Sequence, residues 1–288
     1  MIIYVTKGPG NCRDHHDNRQ AVNSRHSTVY PVALTGLPHI NWRDHIHFVL
    51  VEPKEPGNIG ASARAIKNMG FSNLSLVRPP ALTDEARWFA RNALDVLDRA
   101  QSCDHIHDAI GDKSFVVGTT SRKGKKRGLI LPISEGIEKI KEYAQDGPVA
   151  ILFGRESRGL FNEEIGECGL LVTIPTNREQ PSLNLAQAVM IIAYELGKEA
   201  MGQQPRRRRT SRINCHRMSL VTHNDMSKLY EHMTDVLRLL DYIPRGDRDL
   251  EKKIMSNLKY FIGRAGLTDW ELKMIRGILS QIEKKIGT

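Results

Sequence analysis

Three stretches of the 288-residue chain put small, polar and charged residues directly after apolar runs. That is where open α/β folds position their chemistry. The first stretch runs from Val51 to Arg64. Pro56 and Gly57 shape a turn out of a strand, Asn58 is a good helix N-cap, and the amides after it could receive an anion. At 3.6 residues per turn Gly57, Gly60, Ala61 and Arg64 share one helix face. Two readings stay open: the small residues leave room for a substrate backbone beside a guanidinium, or they let the helix pack closely and Arg64 is only solvated. The stretch has no GxGxxG fingerprint, and the chain has no GxxxxGK[ST] phosphate loop.

The second stretch, Val149 to Leu160, ends a buried strand on Gly154 and continues into charged residues. Glu156 reads equally as a surface acid at a helix start or as a functional carboxylate. The third, Ile174 to Tyr194, leaves a strand through a polar loop and enters a strongly apolar helix that Ser182 is expected to open. Capping and a functional role for Ser182 can coexist.

These segments must be held by a scaffold, and the pattern around them supplies one. Apolar runs at Ile46–Val51, Asn73–Val77, Phe115–Thr119, Val149–Gly154 and Leu170–Ile174 lack alternation, as strands covered on both faces do. Helical patterns at 59–69, 83–99, 134–145, 158–167 and 182–200 separate or follow them. This is how parallel βαβ units read, and it predicts an α/β domain over 45–200. Residues 1–44 carry four of the eleven histidines without helical or strand period and read as a poorly ordered extension. Residues 201–218 hold Arg206 to Arg209, Arg212 and Arg217 with no acid, which predicts an extended basic linker. Beyond it, 219–288 predicts three amphipathic helices. Met226, Leu229, Tyr230, Met233, Leu237 and Leu240 face inward on the first, Leu250, Ile254, Leu258 and Phe261 on the second. The third starts at a Thr268/Glu271 capping box and buries Leu272, Ile275, Leu279, Ile282 and Ile286.

Composition narrows the class. Lys and Arg number 42 against 33 Asp and Glu, a net charge of +9 that suits a polyanionic partner. Arg122 to Arg127 alone carries five cations in six residues. The four cysteines, at 12, 103, 168 and 215, form no CxxC pair, so they read as free thiols of a reducing, cytoplasmic setting. No His/Cys/Asp spacing suggests a metal, and none is expected. The longest apolar run, Ala188 to Ala193, is far too short for a membrane span, and no signal peptide is expected.

Taken together, PGNIGASARA, LFGRESRGL and SLNLAQAV resemble, in order and spacing, the three motifs of the SpoU/TrmH branch of SPOUT RNA methyltransferases, over about 46–200. The helical tail, with GLTDWELKMIRGILS, looks like the C-terminal module of the TrmJ subgroup. The resemblance implies a parallel sheet with a deep trefoil knot over roughly 150–190, a homodimer, and transfer of a methyl group from S-adenosylmethionine to a ribose 2′-hydroxyl of tRNA. For the TrmJ subgroup the target is anticodon-loop nucleotide 32. It also implies that Thr119, Thr120, Ser121, Gly154, Ile174, Pro181, Ser182 and Leu183 wrap the cofactor, and that Asn58, Arg64, Glu156, Ser182 and Asn184 form the polar active site. The alternatives are an rRNA-modifying relative and a non-catalytic RNA-binding protein of the same fold. A dinucleotide-dependent dehydrogenase lacks its glycine fingerprint here.

The resemblance carries Arg64 into the part of general base. A guanidinium stays protonated throughout the working pH range, so electrostatic stabilisation of the developing alkoxide is the better reading, with an RNA phosphate or water taking the proton.

Overall fold

The computed structural model describes residues 41–122, 129–177, 179–202, 220–243, 248–263 and 266–286. Among these residues seven strands, β1 (Ile46–Val51), β2 (Asn73–Val77), β3 (Gln101–Cys103), β4 (Phe115–Thr119), β5 (Ile130–Pro132), β6 (Val149–Phe153) and β7 (Leu170–Thr173), form one sheet. Its order is β3-β2-β1-β6-β4-β7-β5, and every pairing is parallel. Among the described residues ten α-helices accompany it: α1 (Pro56–Asn68), α2 (Asp84–Ala90), α3 (Leu94–Asp98), α4 (Ile106–Ile110), α5 (Ile133–Ala144), α6 (Asn162–Gly166), α7 (Leu185–Gly202), α8 (His223–Leu239), α9 (Arg248–Gly263) and α10 (Asp269–Ile286).

The unbroken apolar runs are explained by burial on both faces. In β1, Phe48 and Leu50 join the core covered by α1, α5 and α7, while Val49 and Val51 join the opposite core with α4, α6 and Leu160. All four are at most 1% exposed. Each such side chain contributes roughly 1.5–3 kcal/mol by leaving water. β7 is inserted between β4 and β5, which precede it in the chain. The knot implied for roughly 150–190 falls on this insertion.

Several expectations need correction. Folded structure starts earlier than residue 45: Asn41 caps a 3-10 turn over Trp42–His45, Trp42 packs edge-on to Phe71, and Arg43 donates to the carbonyl of Gly197. The rest of the expected extension, 1–40, lies outside the described residues. The helix expected over 83–99 is two helices, because Arg91 sits at φ 51° and breaks the run into α2, a 3-10 turn and α3. The helix expected over 158–167 is only α6, since 154–160 folds back as a tight turn in which Arg155 pairs with Gly159. α7 opens at Leu185, not at Ser182, and continues to Gly202, so 201 and 202 are helical; the rest of the expected basic linker falls on residues 203–219, outside the described set.

The C-terminal helices have their own core of Val221, Met226, Leu229, Tyr230, Val236, Met255, Leu272 and Leu279. Leu240, Phe261 and Ile286, expected inside, are exposed. The capping box is present: the Thr268 amide donates to Glu271 at 2.8 Å, and the Glu271 amide donates to the Thr268 hydroxyl at 3.4 Å. The module seats on the far flank of the sheet through backbone bonds, His223 amide to Lys113 carbonyl at 2.7 Å and Asn224 amide to Gly111 carbonyl at 3.0 Å.

Candidate active site

The carboxyl ends of β4, β6 and β7 meet around a cavity of about 360 Å³, within the size range of small-molecule sites. β4 delivers Thr119 to Ser121, β6 delivers Gly154, and the β7–α7 connection delivers Ile174 and Pro181 to Leu183. All eight positions expected to wrap a cofactor therefore line one space. Their loops are pinned. The Thr119 hydroxyl donates to the Leu152 carbonyl at 2.9 Å, the Thr120 amide to Val172 at 3.0 Å, and the Thr176 hydroxyl to Pro181 at 3.1 Å.

Three expected polar residues, far apart in sequence, form one hydrogen-bonded chain. Asn58 donates its amide to Glu156 at 3.0 Å, and Asn184 donates to the Asn58 carbonyl oxygen at 2.8 Å. Glu156 also accepts from the backbone amides of Lys54 and Glu55, so it fixes the entry to α1. Asn58 is thus not the N-cap of α1: that place is Glu55, and Asn58 lies inside the first turn. Asn184, not Ser182, caps α7, its oxygen accepting from Ala186 at 2.9 Å while Gln187 reaches back to the Asn184 amide at 3.2 Å. Capping occupies the Asn184 oxygen and turns its amide nitrogen toward Asn58. Ser182 is left exposed on the cavity wall.

Burial opposes the charge of Glu156, but the Asn58 amide and the backbone amides around it prevail, and its carboxyl lies below the usual range. Its contribution to stability is therefore full above the ordinary carboxylate value and fades as pH falls through the depressed one. Because every partner of Glu156 is a donor, Glu156→Gln sets an NH₂ against an N–H. The expected cost is about 1–3 kcal/mol, read as a lower melting temperature at pH 7 that converges on wild type in acid. An unchanged melting temperature would leave the carboxylate without this positioning role.

Arg64 is exposed on α1, six residues past Asn58 and so about 9 Å further along the axis. It does not line its own chain's cavity. The glycine face beside it is not open to a substrate. A Cβ at Gly60 would lie 1.9 Å from the Ala86 carbonyl oxygen, and one at Gly57 would meet Glu85 and Phe89, so the small residues admit α2. Gly154 is likewise constrained by its own chain, with the Gly159–Leu160 backbone 2.1–2.2 Å from any Cβ.

Sequence patterning missed Arg155. It is 5% exposed, pairs both terminal nitrogens with Glu164 at 2.9 and 3.0 Å, donates through Nε to Glu52 at 2.6 Å, and stacks on Phe161. Burial opposes its charge, yet the two carboxylates push its pKa further up. Glu52 also pairs with Arg78. This cluster fastens the 154–160 turn to the end of β1. A lone arginine in a charged stretch offers no periodic signal for such a role.

Residues 45–194 match the SpoU rRNA Methylase family, and residues 224–288 match the C-terminal domain of the tRNA methyltransferase TrmJ. The chain is 38% identical over 244 residues to a tRNA (cytidine/uridine-2′-O-)-methyltransferase TrmJ of Sodalis glossinidius, covering 83% of this chain and 91% of the relative. It is 35% identical over 246 residues to the tRNA (cytidine/uridine/adenosine-2′-O-)-methyltransferase TrmJ of Pseudomonas aeruginosa, covering 84% and 95%. Among solved structures, TrmJ from Z. mobilis superposes with a TM-score of 0.69 at 29% identity, covering 82% of this chain and 98% of that one. With matching motifs, a matching sheet and a match over more than half its length, the chain belongs to the SpoU rRNA methylase family.

Proposed function

We propose that this chain transfers the methyl group of S-adenosylmethionine to a ribose 2′-hydroxyl of tRNA, at nucleotide 32 of the anticodon loop. The observation that carries this reading is the Glu156–Asn58–Asn184 chain, which ties all three motifs together beside a cavity lined by every expected cofactor position. The cofactor supplies the electrophilic methyl group. The protein holds the cofactor at Thr119 to Ser121, Gly154, Ile174 and Pro181 to Leu183, and Ser182 faces the reacting nucleotide from the cavity wall. Arg64 stabilises the alkoxide as the hydroxyl proton leaves to water or an RNA phosphate. Asn58, Glu156 and Asn184 position the elements that carry these groups. The exposure of Arg64 outside its own chain's cavity favours a homodimer, with substrate held across two chains. Division into a methyltransferase domain at 45–200 and a helical module at 219–288 fits the separate cores. Buried thiols at Cys103 and Cys168 suit the cytoplasm. No described helix is long and apolar enough to cross a membrane.

RNA contact is assigned to the basic segments 122–127 and 206–217. Arg122 lines the cavity, while 123–128 and 203–219 lie outside the described residues. The test is labelled S-adenosylmethionine offered with bulk tRNA and with rRNA, the modified nucleotide being located by mass spectrometry. Label in tRNA at position 32 supports the reading; label only in rRNA, or cofactor binding without transfer to either, overturns it. In the same preparation, replacing Lys123, Lys125 and Lys126 by Gln is expected to lower the slope of log K against log[salt] for tRNA binding by about 2–3, with cofactor affinity unchanged. An equal slope would make these lysines a solvated face.

A further inference from the structure

Where the helical module meets the sheet, three side chains converge that lie outside the active site. His107 comes from α4, Glu167 follows α6, and His223 is the first residue of α8; their ligand atoms all lie within 4.8 Å of one another. Spacings of 60 and 56 residues hide such a group from any reading of sequence motifs. Burial marks it further. The Nε2 atom of His223 is shielded from solvent and lies 3.0 Å from the Glu167 carboxylate, yet it makes no aligned hydrogen bond among the described residues. A protonated ring is an ion-pair partner of that carboxylate, whereas the neutral ring offers a lone pair to a metal ion beside it. The His107 ring stacks near-parallel to it at 6.1 Å. Lys259 donates to Oε1 of Glu167 at 3.2 Å, which orients the carboxylate and leaves Oε2 turned toward the histidines.

We propose that His107, Glu167 and His223 form a Zn²⁺ site that clasps the helical module onto the catalytic sheet. Two imidazoles and one carboxylate are a donor set for a late first-row divalent ion, and unlike Mg²⁺ or Ca²⁺ such an ion accepts nitrogen ligands. Bonds of about 2.0–2.2 Å in a tetrahedron need ligand atoms about 3.4 Å apart. His223 and Glu167 already meet that spacing, and the exposed His107 side chain closes the remainder by rotating. Exposure of His107 also supplies the entry path and an open fourth position for water. The Lys259 ammonium weakens the site relative to a closed four-ligand centre. The ion has no part in methyl transfer; it fixes the start of α8 to α4 and to the residue that follows α6.

The test uses the full-length chain, stripped with chelator and titrated with Zn²⁺ by calorimetry, with Co²⁺ absorption reporting coordination. Because Cys12, His15 and His16 offer competing ligands, the background carries Cys12→Ser, His15→Asn and His16→Asn. One Zn²⁺ per chain and a metal-dependent rise in melting temperature are expected. His107→Ala should weaken binding at least tenfold and remove the rise, with its metal-free melting temperature unchanged because the side chain is exposed. His223→Asn should behave alike toward metal. No binding in the background chain, or the background chain's affinity retained in either histidine variant, overturns the proposal.

Discussion

Arg64→Ala is expected to keep the fold and its affinity for S-adenosylmethionine while methyl transfer falls by about 10²–10³-fold, the usual loss on removing one preorganised stabiliser of transition-state charge. The structure separates these outcomes. Arg64 is exposed, lines no wall of its own chain's cavity, and its side chain is joined by no hydrogen bond or ion pair to another described residue. Its removal therefore leaves no buried carboxylate behind and opens no void. The loss belongs to kcat, since a charge that forms only as the hydroxyl ionises is felt in the transition state and not in the ground state. Arg64→Lys should recover little, because one ammonium does not reproduce a planar, multi-donor fork. Calorimetry and single-turnover methylation of tRNA check the pair; wild-type turnover in Arg64→Ala would end the assignment.

The division between what was legible and what was not follows interaction range. β1, β2, β4, β6 and β7 are unbroken apolar runs because both faces of the sheet are covered, and composition alone reports that. β3 and β5, with three residues each, and the five-residue α4 are too short to carry a period. Asn58, Glu156 and Asn184 entered the site through resemblance, but their geometry could not be read: each bond spans about a hundred residues. Local rules then misassigned two helix caps. Asn58 looked like a cap and is a bridge, while Ser182 looked like a cap and yields that place to Asn184 and Gln187. The glycine face of α1 had two physical readings of equal standing, and only the position of the Ala86 carbonyl chooses close helix packing. Arg155 was invisible for a related reason, since its carboxylate partners come from the end of β1 and from α6.

Gly154 carries the second large effect, and its cause differs from the one that its place at a strand end suggests. Close approach of a cofactor would make a side chain harmful only when cofactor is bound. Instead, a Cβ at Gly154 falls 2.1 Å from the Gly159 carbonyl carbon and 2.2 Å from the Leu160 nitrogen, both backbone atoms. That backbone has little room to retreat. Gly159 is held at φ 67° by the hydrogen bond its amide donates to the Arg155 carbonyl, and Arg155 is clamped between Glu52 and Glu164. Gly154→Ala should therefore destabilise the protein without cofactor by about 1–3 kcal/mol, lowering its melting temperature by several degrees. Gly154→Val should abolish S-adenosylmethionine binding, because the displaced turn forms one wall of the cavity. The alanine variant discriminates between causes. A normal melting temperature with lost binding would mean that the cofactor alone excludes the side chain. Normal stability with normal binding would move the cofactor away from β6 and take the proposed site with it.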